Sequence, residues 1–168
     1  MKKRIFIAAT LLLGLFASNS SFAHCEVPCG IYNDQLRVKQ LYEHFTTIEK
    51  AMNQIEALQE EDDKNYNQIV RWITTKEDHA KKVQHIVEQY FMHQRIKIKE
   101  KSDSEAYDKY LKQITLAHKL VVFAMKTKQT TNQDHVSTLR ETLEKFEKAY
   151  FSKEDMKHLE HHHEKENE

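Results

Sequence analysis

This chain has almost no helix breakers: of its 168 residues, two are glycine and one is proline. Gly14 falls in an apolar leader, while Pro28 and Gly30 stand two residues apart just after that leader ends. Beyond Gly30 nothing forces the backbone out of a helix, so long uninterrupted helices are allowed. Only two cysteines are present, Cys25 and Cys29, too few and too close together to staple a small fold at several points. Excess positive charge is missing as well. With 26 Lys and Arg against 26 Asp and Glu, there is no basic footprint for nucleic acid. No apolar run is long enough to span a bilayer comfortably.

The first residues read as a processing signal. Lys2, Lys3 and Arg4 precede an apolar run from Ile5 to Phe16, and the stretch ends Ser21-Phe22-Ala23. A basic start, a short apolar run and small residues at 21 and 23 fit a secretory signal cut after Ala23. Residues 1–23 are therefore expected to be removed, leaving 145 residues with a formal charge of −3, exported to periplasm or medium. That length can bury one hydrophobic core unaided.

Four periodic segments come after it. Leu41, Phe45, Ile48, Met52 and Ile55 alternate steps of four and three, one apolar stripe on a helix. Asn33 or Asp34 can cap its start, and the acids from Glu60 to Asp63 mark its exit. Ile69, Ile73, Ala80, Val83, Val87 and Tyr90 make the second stripe, on a helix expected from about residue 64 to 97. Ser102 with Glu105 gives a capping-box pattern before a third stripe of Tyr107, Leu111, Ile114, His118, Val121 and Met125. Val136, Leu139, Leu143, Phe146 and Tyr150 form the fourth. The expected fold is all-α: an antiparallel up-down four-helix bundle over residues 33–151, with a polar, His-rich tail over 152–168. His44, His85, His93 and His135 read as surface residues, and His118 as a core or interface residue.

Chemistry concentrates at residues 24–32, His-Cys-Glu-Val-Pro-Cys-Gly-Ile-Tyr. Cleavage after Ala23 would give His24 a free α-amine, which loses its proton near neutral pH. That amine, the Cys25 amide nitrogen and the Cys25 and Cys29 thiolates can define a square plane, with the His24 imidazole as an axial fifth donor. A square plane points to nickel or copper, whereas zinc prefers four tetrahedral side-chain ligands and this segment offers three. Pro28 fixes φ and Gly30 permits unusual φ, so the chain can reverse to bring the donors together. Anionic thiolate and amidate donors also stabilise a higher oxidation state of such a metal.

The pattern H-C-x-x-P-C-G-x-Y at a processed N-terminus, carried by His24, Cys25, Pro28, Cys29, Gly30 and Tyr32, resembles the nickel hook of nickel superoxide dismutases. The resemblance implies nickel as cofactor, superoxide as substrate, a four-helix bundle and a homohexamer. It implies metal ligation by His24, Cys25 and Cys29, and a Tyr32 that closes the front of the site. Glu26 and His79 are carried as neighbours of the ligands. The chain departs from the family where a glutamate and an arginine steady the axial imidazole: the corresponding stretches read Val38-Lys39-Gln40 and Lys76-Glu77-Asp78-His79. Two other readings of residues 24–32 stand beside this one. An exported nickel or copper carrier would bind metal without turnover, and a Cys25–Cys29 disulfide in an oxidising compartment would leave a helical adaptor with no metal.

Overall fold

The computed structural model of the chain describes residue 28 and residues 30–152. The expected leader, residues 24–27 and 29, and the tail beyond Ser152 lie outside the described residues. Four helices occur in order: α1 (Asp34–Glu60), α2 (Tyr66–His85), α3 (Ser104–Gln129) and α4 (Asp134–Tyr150). A π-helical segment, Ile86–Arg95, continues directly from α2. Each helix packs on the next and α1 also packs on α4, which closes the antiparallel bundle expected from the stripes. There is no strand among the described residues.

The helix starts are set by short polar side chains. Asn33 Oδ1 accepts from the Leu36 N–H at 3.0 Å, and Asn65 Oδ1 from Gln68 at 3.2 Å. For α3 the cap is Asp103, whose Oδ1 accepts from Ala106 at 3.1 Å, one residue beyond the Ser102 expected for that role. Each bond satisfies one of the four N–H groups that a helix start leaves without an internal partner.

The core is Leu41, Phe45, Ile48 and Met52 of α1 against Val83, Val87 and Phe91, with Leu139, Leu143 and Phe146 of α4. Three of the four expected stripes supply it. The third does so only at its edge: α3 buries Ala117, Leu120, Ala124 and Thr127, while Ile114 and Val121 of the expected stripe pack part-buried against the core and Leu111, His118 and Met125 are exposed. The two faces lie one residue apart and both are apolar in sequence, so spacing alone could not choose between them. The buried face is the one that carries Ala117 and Ala124, whose small side chains let neighbouring helices approach closely. Ile73, also expected in the core, is 38 % exposed on α2.

The buried Lys76 and Glu147 side chains are matched. Lys76 donates to the carbonyls of Lys128 and Thr130, both at 3.0 Å, and so caps the C-terminal end of α3 from α2. Burial holds its ammonium below the ordinary lysine range. Glu147 accepts from the Tyr42 hydroxyl at 2.7 Å, joining α4 to α1. Burial first, then the Glu147 charge, pushes that phenol well above its usual range.

Candidate metal centre

The donors named from sequence, His24, Cys25 and Cys29, lie outside the described residues, as does Glu26. What the structure describes is Pro28, the residues from Gly30 to Ser152 and the cleft that Tyr32 lines. The Ile31 N–H donates to the Pro28 carbonyl at 2.9 Å, closing a four-residue turn. Gly30, third in that turn, has φ +89°, a left-handed value that favours glycine. No side chain would clash there, so backbone conformation alone asks for glycine.

Two residues on, Tyr32 is held on several sides. The Arg95 guanidinium lies 4.4 Å from its ring centroid. Tyr90 meets the ring edge-on, centroids 5.8 Å apart, and the hydroxyl points at Gln94 Oε1 at a long 3.5 Å. The other half of the arrangement is Asp34, in the first turn of α1. Arg95 grips it with two nitrogens, Nε at 2.8 Å from Oδ1 and Nη2 at 2.6 Å from Oδ2. The Tyr90 hydroxyl donates to Oδ1 at 2.6 Å and the Tyr150 hydroxyl to Oδ2 at 2.8 Å. One carboxylate thus binds the start of α1, the π-helical segment and the end of α4. Burial pushes the Asp34 carboxyl up, but the hydrogen bonds from Arg95, Tyr90 and Tyr150 outweigh it and hold the group below the usual carboxylate range. Burial and the same carboxylate raise both phenols well above theirs.

The π register is what makes this convergence possible. In an α-helix, residues five apart point to different sides. In a π-helix the bonds run between residues five apart and bring them over one another. Tyr90 and Arg95 are five apart and reach the same carboxylate. The segment closes with the Ile96 N–H on the Phe91 carbonyl at 2.8 Å, again five residues back. The Gln94 side-chain amide donates to the Gln89 carbonyl at 2.9 Å.

Tyr32, Asn33, Asp34, Gln35, Arg95, Tyr150 and Phe151 line an open cleft of about 480 Å³. A second cleft of about 280 Å³ shares Arg95 and Tyr150 and brings Lys97, Lys99 and Lys109 to its walls. Anions approaching Tyr32 from this side meet cationic walls.

Of the residues named from sequence, Tyr32 is the one seated at this site. His79, expected near the axial imidazole, sits on α2 beside His44, their Nδ1 atoms 3.2 Å apart; His44 is half-buried rather than a surface residue. Asp34, Tyr90, Gln94, Arg95 and Tyr150 were not marked as functional by sequence reasoning. They meet only through the packing of α1, the π-helical segment and α4, so no local sequence signal marked them.

No group of three or more His, Cys, Asp or Glu is placed to hold a metal ion among the described residues. Nor is any described helix long and apolar enough to cross a membrane. No curated protein and no solved structure matches the chain. The sequence profile of the nickel-containing superoxide dismutases matches residues 19–154, which takes in the 24–32 segment and the whole bundle. The chain belongs to the nickel-containing superoxide dismutase family.

Proposed function

We propose that the chain is exported, cut after Ala23, and binds nickel through the segment that the cut exposes. His24 supplies amine and imidazole, Cys25 its amide nitrogen and thiolate, and Cys29 the second thiolate. This donor set fits the metal: two thiolates and two nitrogens in one short segment suit a square-planar ion, and the fifth donor is on the same residue as the amine. Bound there, nickel supplies one-electron chemistry between its divalent and trivalent states, which converts two superoxide radicals and two protons to dioxygen and hydrogen peroxide.

The rest of the chain shapes access. Tyr32 stands at the mouth of the segment and excludes larger molecules, with its ring fixed by Arg95 and Tyr90. Arg95 is in turn fixed by Asp34, so the Asp34–Arg95 pair is a positioning device for Tyr32. Lys97, Lys99 and Lys109 favour the approach of a small anion despite the negative net charge of the processed chain. The bundle assembles as a homohexamer, as the family resemblance implies.

The observation that carries this reading is the family match over residues 19–154, which spans all six fixed positions of the hook pattern. Its test compares the protein beginning at His24 with one carrying a single added alanine before it. Both retain every side chain, and the added residue moves the free amine off His24. Superoxide turnover is expected in the first and at least 100-fold less in the second. Equal turnover would rule out the amine as a ligand.

A further inference from the structure

We propose that His44 and His79 form a second transition-metal site, a two-imidazole chelate between α1 and α2 that takes a borderline divalent ion such as nickel(II) or copper(II). It does not rest on the reading given for the N-terminal segment.

The spacing is the first argument. His44 Nδ1 and His79 Nδ1 are 3.2 Å apart, with the rings nearly perpendicular and their centroids 4.9 Å apart. Two imidazole nitrogens each about 2.1 Å from one ion and 3.2 Å from each other subtend about 100° at it. That lies between the right angle of square or octahedral ligands and the tetrahedral angle. The second argument is rigidity. Each histidine stands within a long helix, on the two that pack most extensively together, so the pair is built before any ion arrives.

Protonation favours the same use. Burial, then His79 and Lys82, lower His44 to about 4. Burial and Lys82 lower His79 too, with Asp78 acting the other way. Both rings are then neutral at pH 7, and an ion need displace no proton from them. Without metal, one Nδ1–H can donate to the other Nδ1. Moving that hydrogen to Nε2 leaves two lone pairs at the position an ion would take. The rings are half-buried, so water can fill the remaining coordination positions. Imidazole donors suit zinc, copper and nickel, and copper(II) binds most tightly in the usual order. Lys82 is the one neighbouring charge that opposes the ion at both rings, and it is exposed and therefore screened.

The test is calorimetric titration of the full processed chain, first saturated with nickel(II) at its N-terminus. His158, His161, His162 and His163 are replaced by alanine so that the tail does not compete. One further nickel(II) per chain is expected. Affinity should fall at least tenfold in His44→Ala and in His79→Ala, and rise in Lys82→Glu. As a check that needs no variant, crystals of the unsubstituted protein soaked in nickel(II) should show an anomalous peak about 2.1 Å from both Nδ1 atoms. No further binding event, an event indifferent to His44→Ala, or a hydrogen-bonded pair with no peak would each overturn the proposal. Loss of turnover in the amine-shifted protein leaves this result untouched, so the two readings fail separately.

Discussion

Replacing Asp34 by alanine removes one carboxylate and orphans three partners on two other elements. Five hydrogen bonds are lost, at 2.6, 2.6, 2.8, 2.8 and 3.2 Å, all to a charged acceptor. Hydrogen bonds to charged groups each contribute about 1.5–3 kcal/mol net. They do not add here. The Arg95 side chain is 29 % exposed, so it can recover water, and Asp34 itself is 15 % exposed. Counting the loss as about two such bonds gives roughly 3 kcal/mol, against the 0–1 kcal/mol of an ordinary surface pair. That is about 10 °C in melting temperature for a domain of this size. Urea unfolding followed by far-ultraviolet circular dichroism measures it, with an unchanged slope expected because the surface exposed on unfolding is the same. Arg95→Leu alone should cost less, and the double variant less than the sum by about 1–2 kcal/mol. A loss below about 0.5 kcal/mol in Asp34→Ala, the scale of an ordinary surface substitution, or strict additivity with Arg95→Leu, would refute the view that this carboxylate organises the site.

Other consequences can be checked alongside. Gly30→Ala forces a side chain into φ +89°, at about 1–2 kcal/mol, and nickel affinity should drop about tenfold by equilibrium dialysis while the bundle keeps its melting temperature. Lys76→Met leaves the Lys128 and Thr130 carbonyls without their donor and should cost about 2 kcal/mol in urea unfolding. His44, lowered to about 4 in the fold from an unfolded value near 6.5, binds a proton more readily in the unfolded chain. Its effect is absent above pH 6.5, and stability falls as pH drops from 6.5 to 4, by on the order of 1–2 kcal/mol once discounted for its half-exposed ring. In His44→Gln that acid-side slope should flatten, and an unchanged slope would contradict the assignment. Nickel should shield the thiolates, so apo protein is expected to lose its thiols to peroxide faster than the nickel form; equal loss would show that metal and sulfur are not bonded.

How much of this was legible depended on whether the information was local. The stripes of α1 and α4 alternate threes and fours with no competing apolar face, and those residues are the core. α3 carries apolar residues on adjacent faces, so its orientation depended on the helices packed against it, which spacing along one helix does not reveal. The π register of Ile86–Arg95 was invisible to a search for a 3.6-residue period, and with it the meeting of Tyr90 and Arg95 at Asp34. The pattern behind the proposed hook could be read without the fold because its candidate donors fall within six consecutive positions, which lie outside the described residues. The partners of Tyr32 were not, since Arg95 and Tyr90 are brought to it by the bundle from far along the chain. Likewise His44 and His79 are ordinary in sequence and become a pair only when α1 packs against α2.

The most direct measurement is electron paramagnetic resonance on protein purified from nickel-supplemented cells, with its N-terminus sequenced and its superoxide turnover assayed. A rhombic nickel(III) signal split by one axial nitrogen, an N-terminus at His24 and turnover that tracks nickel content are the predicted results. A silent spectrum with no turnover and a Cys25–Cys29 disulfide at full nickel supply would contradict the account.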